Sequence, residues 1–420
     1  MPGGTPSRAA RLLLAGAAVD AFGTGLTVPL LVVYLHGVRG VAMETVGLLA
    51  AVPPAVGLVL LGPIGILIDR IGPRRVQMCS LVAATGGGMT MAFVDSVPLA
   101  FAARVLTGIG IAAFWPANQS LIADLVPSAE RQRLFGVWFA LFNFGIGIGG
   151  VAAGAYVDVA RPETFTVVYA VDALTFLVPL ALLGGPLRTI GGPVAHVHAV
   201  EDAGSYRAVL ADRVFRRYLA VVVVATFVGY GQIEAGWMGY ANVVAQVTPR
   251  ALGAAFAVNT AIIVVLQLVV LRLIDGRRRT RMIMVQAALW AASWVIFGLA
   301  GLFPATDLAA GLVIGGFGVF AIGETLQSPI GPAIVNDIAP ERLRGRYNAA
   351  AGLAFQAAAI VAPSIAGFLL GAGRGGAFIA MLVVGCGALA IAAARLEGVL
   401  SPHANGLAPA PVALDDRASA

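Results

Sequence analysis

The chain has 420 residues, of which 59% are hydrophobic and 11% charged, with a formal net charge of +6. Soluble domains carry roughly 45–50% apolar and about 25% charged residues, so a water-soluble enzyme, a secreted protein and a nucleic-acid binder are poor readings, and the lipid bilayer becomes the expected partner. All 27 basic residues are Arg, and cationic loops kept on the cytoplasmic side account for the pI near 9.8 without a nucleic-acid partner.

A membrane-spanning helix needs about 20 predominantly apolar residues. Twelve such runs follow one another: 12–35, 43–64, 75–94, 97–123, 133–157, 164–184, 217–242, 250–274, 281–302, 308–335, 346–370 and 375–396. Barrel strands would be half as long and would alternate in polarity. The first run, behind Arg8 and Arg11, starts like a secretory signal but continues past Asp20 to Tyr34, which makes it a membrane helix. With the N-terminus in the cytoplasm, 22 Arg fall on the cytoplasmic side. Arg39, Arg161, Arg250 and Arg374 fall outside, and Arg104 lies within a span. An even count leaves both termini cytoplasmic, in a multi-pass protein of a bacterial inner membrane.

The expected division is a six-helix bundle over 1–184, a cytoplasmic central loop over 185–216, a second six-helix bundle over 217–396 and a disordered tail over 397–420. Within the loop, Ser205 to Arg217 sets Val209, Leu210, Val214 and Phe215 among four Arg, the pattern of a short amphipathic helix on the inner surface. Cys79 and Cys386 lie far apart in apolar surroundings and give no disulfide framework.

The halves repeat. A shift of 213 pairs Asp124 with Asp337, Arg131 with Arg344, Arg133 with Arg346, Pro116 with Pro329, Asn143 with Gln356 and Gly154 with Gly367. A shift of 206 pairs Asp69 with Asp275, and one of 214 pairs Asp20 with Glu234. Duplicated bundles are how many transporters are built.

Five ionisable residues sit inside spans: Asp20, Arg104, Asp172, Glu234 and Glu324. If all faced lipid as charges they would cost on the order of 15 kcal/mol, so they must face a cavity or one another, or be neutral. Helical spacing places Asp20, Thr24 and Thr27 on one face. It does the same for Tyr230, Glu234 and Trp237, and for Glu324, Gln327, Ser328 and Gly331. Asn143, Asn259, Gln267 and Gln356 add amide groups. Burial disfavours the anion, so Asp20, Glu234 and Glu324 are candidates to take up a proton and release it when water or a cation arrives. Arg104 would offset a carboxylate or orient a substrate. Asp172 reads as a hydrogen-bonded tie between helices. Trp115, Trp138, Phe142, Trp237 and Phe355 would suit an aromatic substrate.

Between the second and third spans the chain reads Gly65-Ile-Leu-Ile-Asp69-Arg70-Ile-Gly72-Pro-Arg74-Arg75, and the fourth contains Arg104-Val-Leu-Thr-Gly108-Ile-Gly110. These segments resemble two motifs of the major facilitator superfamily, and span number, central loop and duplication extend the resemblance over nearly the whole chain. The run Pro340 to Tyr347 resembles the bacterial drug-efflux branch of proton antiporters. That branch carries a Gly-Pro late in span five, where this chain has Gly145-Ile146. The resemblance implies an all-α membrane protein of twelve helices in two pseudo-symmetric six-helix bundles. It also implies that Asp69 and Arg70 form a cytoplasmic latch and that spans one, four, seven and ten line a central cavity. Asp69 and Asp124 near Arg70, Arg74, Arg75 and Arg131 are the expected first-half gate. Asp275 near Arg277 to Arg279, with Asp337 near Arg344, is its second copy.

The glycines from Gly145 to Gly150 read as close helix packing rather than a nucleotide loop. His196, His198 and Glu201 form a weak metal-binding candidate, too few for a closed site. No phosphate loop for ATP is present. The sequence therefore points to a monomeric secondary transporter without a cofactor, driven by the proton gradient and exporting a small amphiphilic or cationic compound. Proton-linked uptake of a polar nutrient is the alternative within transport. Outside transport, the alternative is a polytopic sensor or enzyme.

Overall fold

The computed structural model describes residues 7–126, 128–192 and 206–407. Within them the chain is almost wholly helical: α1 (Arg8–Thr27), α2 (Met43–Ile71), α3 (Pro73–Ala92), α4 (Val97–Leu125), α5 (Ser128–Tyr156), α6 (Glu163–Thr175), α7 (Leu177–Gly184), α8 (Tyr206–Ala211), α9 (Arg213–Val228), α10 (Pro249–Ile274), α11 (Arg279–Ala300), α12 (Asp307–Ile338), α13 (Arg344–Gly371) and α14 (Gly375–Glu397). Short 3₁₀ and π segments prolong α1 to Val38 and α9 to Val244, and α6 with α7 forms one crossing.

Twelve crossings result. Among the described residues, eleven are long and apolar enough to cross a membrane by length and composition. The twelfth is α3, where Arg74, Arg75, Gln77 and a run of small residues lower the hydropathy. It is held instead by packing on α4 and α6.

The halves meet where α2 lies on α13 and α5 lies on α10, two interfaces that the internal repeat exchanges. Glycine lets the backbones touch there. A Cβ at Gly47 would sit 2.8 Å from the Gly367 Cα, and one at Gly253 would sit 3.0 Å from the Gly150 carbonyl carbon. All four glycines lie toward the membrane face away from the termini. The glycine run of α5 also packs closely as expected, against α1: a Cβ at Gly145 would lie 2.7 Å from that of Ala21. Residue 146 is helical and α5 is continuous past it.

Gly72 alone separates α2 from α3, with φ 86° and ψ 150°, a conformation open to glycine and strained for other residues. Asp69 and Arg70 therefore belong to the last turn of α2. The amphipathic segment expected over Ser205 to Arg217 is broken at Asp212. That side chain caps α9 by accepting from Val214 N at 2.8 Å and Phe215 N at 3.2 Å, and it also accepts from the Tyr347 hydroxyl at 2.9 Å. Among the described residues of the loop, the short α8 precedes it.

Of the tail expected to be disordered, residues 398–407 are ordered, and 408–420 lie outside the described residues. Residues 401–407 form turns packed on the start of α11, and Asn405 is 2% exposed. Arg278, at the N-cap of α11, supplies no side-chain cap. Asn405 Oδ1 takes that place, accepting from the Thr280 N–H at 3.0 Å, and the Arg279 N–H donates to the Asn405 carbonyl at 3.0 Å. The described part of the tail is held by otherwise unsatisfied helix N–H groups. The first half has a looser counterpart, with the Arg74 N–H donating to the Gly191 carbonyl at 3.4 Å.

Candidate functional site

A cavity of about 490 Å³ opens within the membrane part of the molecule. α1 contributes Asp20, Thr24 and Thr27, α4 contributes Arg104, Phe114 and Trp115, and α6 contributes Tyr169 and Asp172. α3 and α5 add Ser80, Phe142 and Ile146, and from the second half only Ile233 and Glu234 reach it. Of the four spans expected to line a central cavity, one, four and seven reach this one and ten does not, and its walls come mostly from the first half.

At its boundary Arg104 forms an ion pair with Glu234. Arg104 is 8% exposed and its Nε also donates to the Leu49 carbonyl of α2 at 3.0 Å. The guanidinium therefore ties α4, α2 and the prolongation of α9 together across the interface between the halves. The fork of donors makes this possible where a lysine would offer a point charge.

Asp20 is buried at 3% exposure and makes no hydrogen bond among the described residues. It faces the main cavity and also a small one of about 20 Å³ that Gln77 and Asn118 share. The Gln77 carbonyl oxygen and the Asn118 amide nitrogen are buried there without a partner. Asp172 does tie two helices, since the Thr27 hydroxyl donates to its Oδ2 at 2.9 Å. Its Oδ1 is buried with no partner, and it lines the cavity as well, which the reading as a tie missed. The signal was present: Tyr169, Asp172 and Thr175 recur every third residue and so share a face of α6.

Glu324 is separate from this cavity. The Asn259 amide donates to its Oε2 at 3.4 Å, and the Tyr230 hydroxyl lies beside it. Tyr230 and Gln356 line a second cavity of about 200 Å³ between α2, α4 and α13, which also reaches Glu234. Four expected cavity residues lie elsewhere. Trp237 is fully buried among Trp294, Phe297, Phe317 and Phe320. Asn143 donates to the Phe139 carbonyl of its own helix at 2.9 Å. The Gln267 carbonyl oxygen is buried without a partner, and Gln327 is half-buried on α12. An aromatic cluster of Phe114, Trp115, Trp138 and Phe142 closes one end of the main cavity, with Trp138 and Phe142 stacked at 5.1 Å.

The gate residues are only partly assembled. Gly65, Asp69, Arg70, Arg75, Asp124 and Arg131 are exposed, and among the described residues neither Asp69 nor Asp124 makes an ion pair. Arg74 instead donates to the Leu183 carbonyl at 3.1 Å. In the second copy Asp337 pairs with Arg279 at 2.5 Å rather than with Arg344, which is exposed, as is Asp275. Arg279 lies at the start of α11, where the packed tail also holds it through the Ala404 carbonyl at 3.0 Å. Arg278 pairs with Glu397 at 2.7 Å. His196, His198 and Glu201 lie outside the described residues.

The chain matches the model of the Major Facilitator Superfamily over residues 13–321 and 244–414. The MFS-type transporter YqjV of Bacillus subtilis (strain 168) is 23% identical, covering 86% of this chain and 87% of that protein. A Na(+), Li(+), K(+)/H(+) antiporter of Planococcus maritimus is 24% identical, covering 71% and 75%. A solved POT family transporter in complex with a thioalcohol-conjugated peptide has the same fold, with a TM-score of 0.77 at 14% identity over 94% of this chain and 97% of that one.

Proposed function

Because the chain belongs to the Major Facilitator Superfamily and is a multi-pass membrane transporter, we propose that it exchanges protons for a small cationic or amphiphilic compound by alternating access. Its relatives and structural neighbours are transporters rather than enzymes. The observation that carries the reading is the charge balance of the cavity. Among the described residues three carboxyl groups face it, and the one cation that does, Arg104, is engaged by Glu234.

A buried carboxylate without a counter-charge is costly. Asp20 and Asp172 must therefore be neutralised, by a proton or by a cation that displaces one. Competition of that kind is the elementary step of antiport. The walls of Phe114, Trp115 and Phe142 suit the apolar part of an amphiphile. One chain supplies the whole cavity, so a monomer suffices, and the proton gradient supplies the energy.

Alternating access needs two gates. The glycine contacts of α2 with α13 and of α5 with α10 support a closed gate on the face away from the termini. The Arg-rich face that carries the termini is assigned to the cytoplasm. There Asp69, Asp124, Arg70 and Arg75 are exposed, and among the described residues neither acid makes an ion pair; they would latch when that side shuts.

Proteoliposomes with an imposed pH gradient test the proposal, with ethidium and other aromatic cations as probes. Antiport predicts accumulation when the lumen is acidic, and loss of that accumulation with an uncoupler. Accumulation with an alkaline lumen would mean symport. No redistribution of any compound across a broad panel would overturn the reading.

A further inference from the structure

We infer that Asp20 and Asp172, with the hydroxyls of Thr27 and Tyr169, form a binding site for a sodium-sized monovalent metal cation, separate from the Arg104–Glu234 pair. The inference rests on the antiport reading only for what the ion would do in transport; binding itself stands on the geometry.

The first ground is composition. Every side-chain ligand is oxygen, two of them carboxylates, which is the donor set that hard cations select. Among the described residues no Cys or His lines the cavity, and its one sulfur is the Met91 thioether.

The second ground is unmet hydrogen bonding. Buried polar atoms are almost always partnered, and an exception calls for an explanation such as an ion. Three acceptors here lack a partner. Asp20, 3% exposed, makes no hydrogen bond among the described residues. Asp172 Oδ1 and the Tyr169 hydroxyl are both buried and unpartnered. Tyr169 sits one turn from Asp172 on the same face of α6, and both line the cavity with Asp20.

The third ground is charge. The other titratable groups lining the cavity are Arg104 from α4, Glu234 from the prolongation of α9 and Tyr169 itself; α3 and α5 bring none. Since Arg104 is committed to Glu234, no other cationic group among the described residues lines the cavity with Asp20 and Asp172. Asp20 from α1 and Asp172 from α6 line the same cavity, and a monovalent metal cation held between them would meet the charge that no protein cation there offsets. Gly23 fixes the spacing, because a Cβ there would lie 2.9 Å from Asp172 Oδ1 and would push α6 from α1.

The test uses the full chain purified in detergent. Binding of radioactive sodium and the thermal unfolding midpoint are followed in sodium chloride against equal choline chloride. The expected result is saturable sodium binding and a sodium-specific rise in the midpoint, both weakened in acidic buffer. Asp172→Asn and Asp20→Asn should each weaken the affinity by about tenfold or more, whereas Asp95→Asn, at an exposed loop, should not. Absence of saturable binding, or unchanged affinity in Asp172→Asn and Asp20→Asn, would overturn the site. If a variant fails to fold, Thr27→Val provides the second reading: weakened sodium binding is expected, and unchanged binding counts against the site. A protein that performs exchange driven by a pH gradient but ignores sodium loses this site and keeps the antiport. One that binds sodium but moves nothing does the reverse.

Discussion

Arg104 and Glu234 form an ion pair across the boundary between the two halves, and the same guanidinium donates to the Leu49 carbonyl. Arg104→Gln leaves Glu234 and that carbonyl without their donor. Losing a charged hydrogen bond costs about 1.5–3 kcal/mol. The expected outcome is a lower unfolding midpoint and loss of coupled transport. Arg104→Lys should recover part of the stability, since it restores the charge without the fork. Thermal unfolding and flux measured on the same preparations check both.

Trp237 and Trp115 separate core from cavity. Trp237→Ala removes a fully buried ring packed on four aromatic neighbours and should destabilise by about 3–5 kcal/mol. Trp115, 39% exposed at the cavity wall, should instead raise the apparent KM when changed to Ala, with little loss of stability. Unfolding curves beside concentration-dependent uptake distinguish the two.

The contact between Gly253 and Gly150 predicts a conformational effect. Gly253→Val cannot fit against the Gly150 backbone, and overpacking of this kind costs about 1–3 kcal/mol. The far side should open and transport should fall while the protein still folds. Labelling of a single cysteine placed near residue 250, faster in the variant than in its parent, is the check.

Asn405 caps α11 from the tail. Asn405→Ala strands the Thr280 N–H, which should lower stability by about 1–3 kcal/mol, and removal of residues after Glu397 should cost at least as much. A tail without structural weight would leave both midpoints unchanged.

How far the sequence carried these conclusions depended on the element. Eleven spans follow from hydropathy alone, and the repeat anticipates that α2/α13 and α5/α10 are equivalent interfaces. Intramembrane charge located Asp20, Arg104 and Glu234, because lipid leaves few reasons to keep a charge. Register was the limit. Trp237 shares a face with Glu234 only in a regular α-helix, and the chain runs as a 3₁₀ turn at Tyr230–Gln232 and as a π segment over Ile233–Trp237. That change of pitch rotates Trp237 into the core. Asp337 chose Arg279 because the tail brings the start of α11 to it, a long-range contact that no local pattern encodes.

The most direct measurement of the central claim is proton release on ligand binding. Purified protein in weakly buffered detergent solution is mixed with ethidium while a pH dye reports free protons. The account predicts release in step with binding, reduced in Asp20→Asn and further reduced when Asp172→Asn is added. Ethidium binding without proton release, or undiminished release from the double variant, would contradict it.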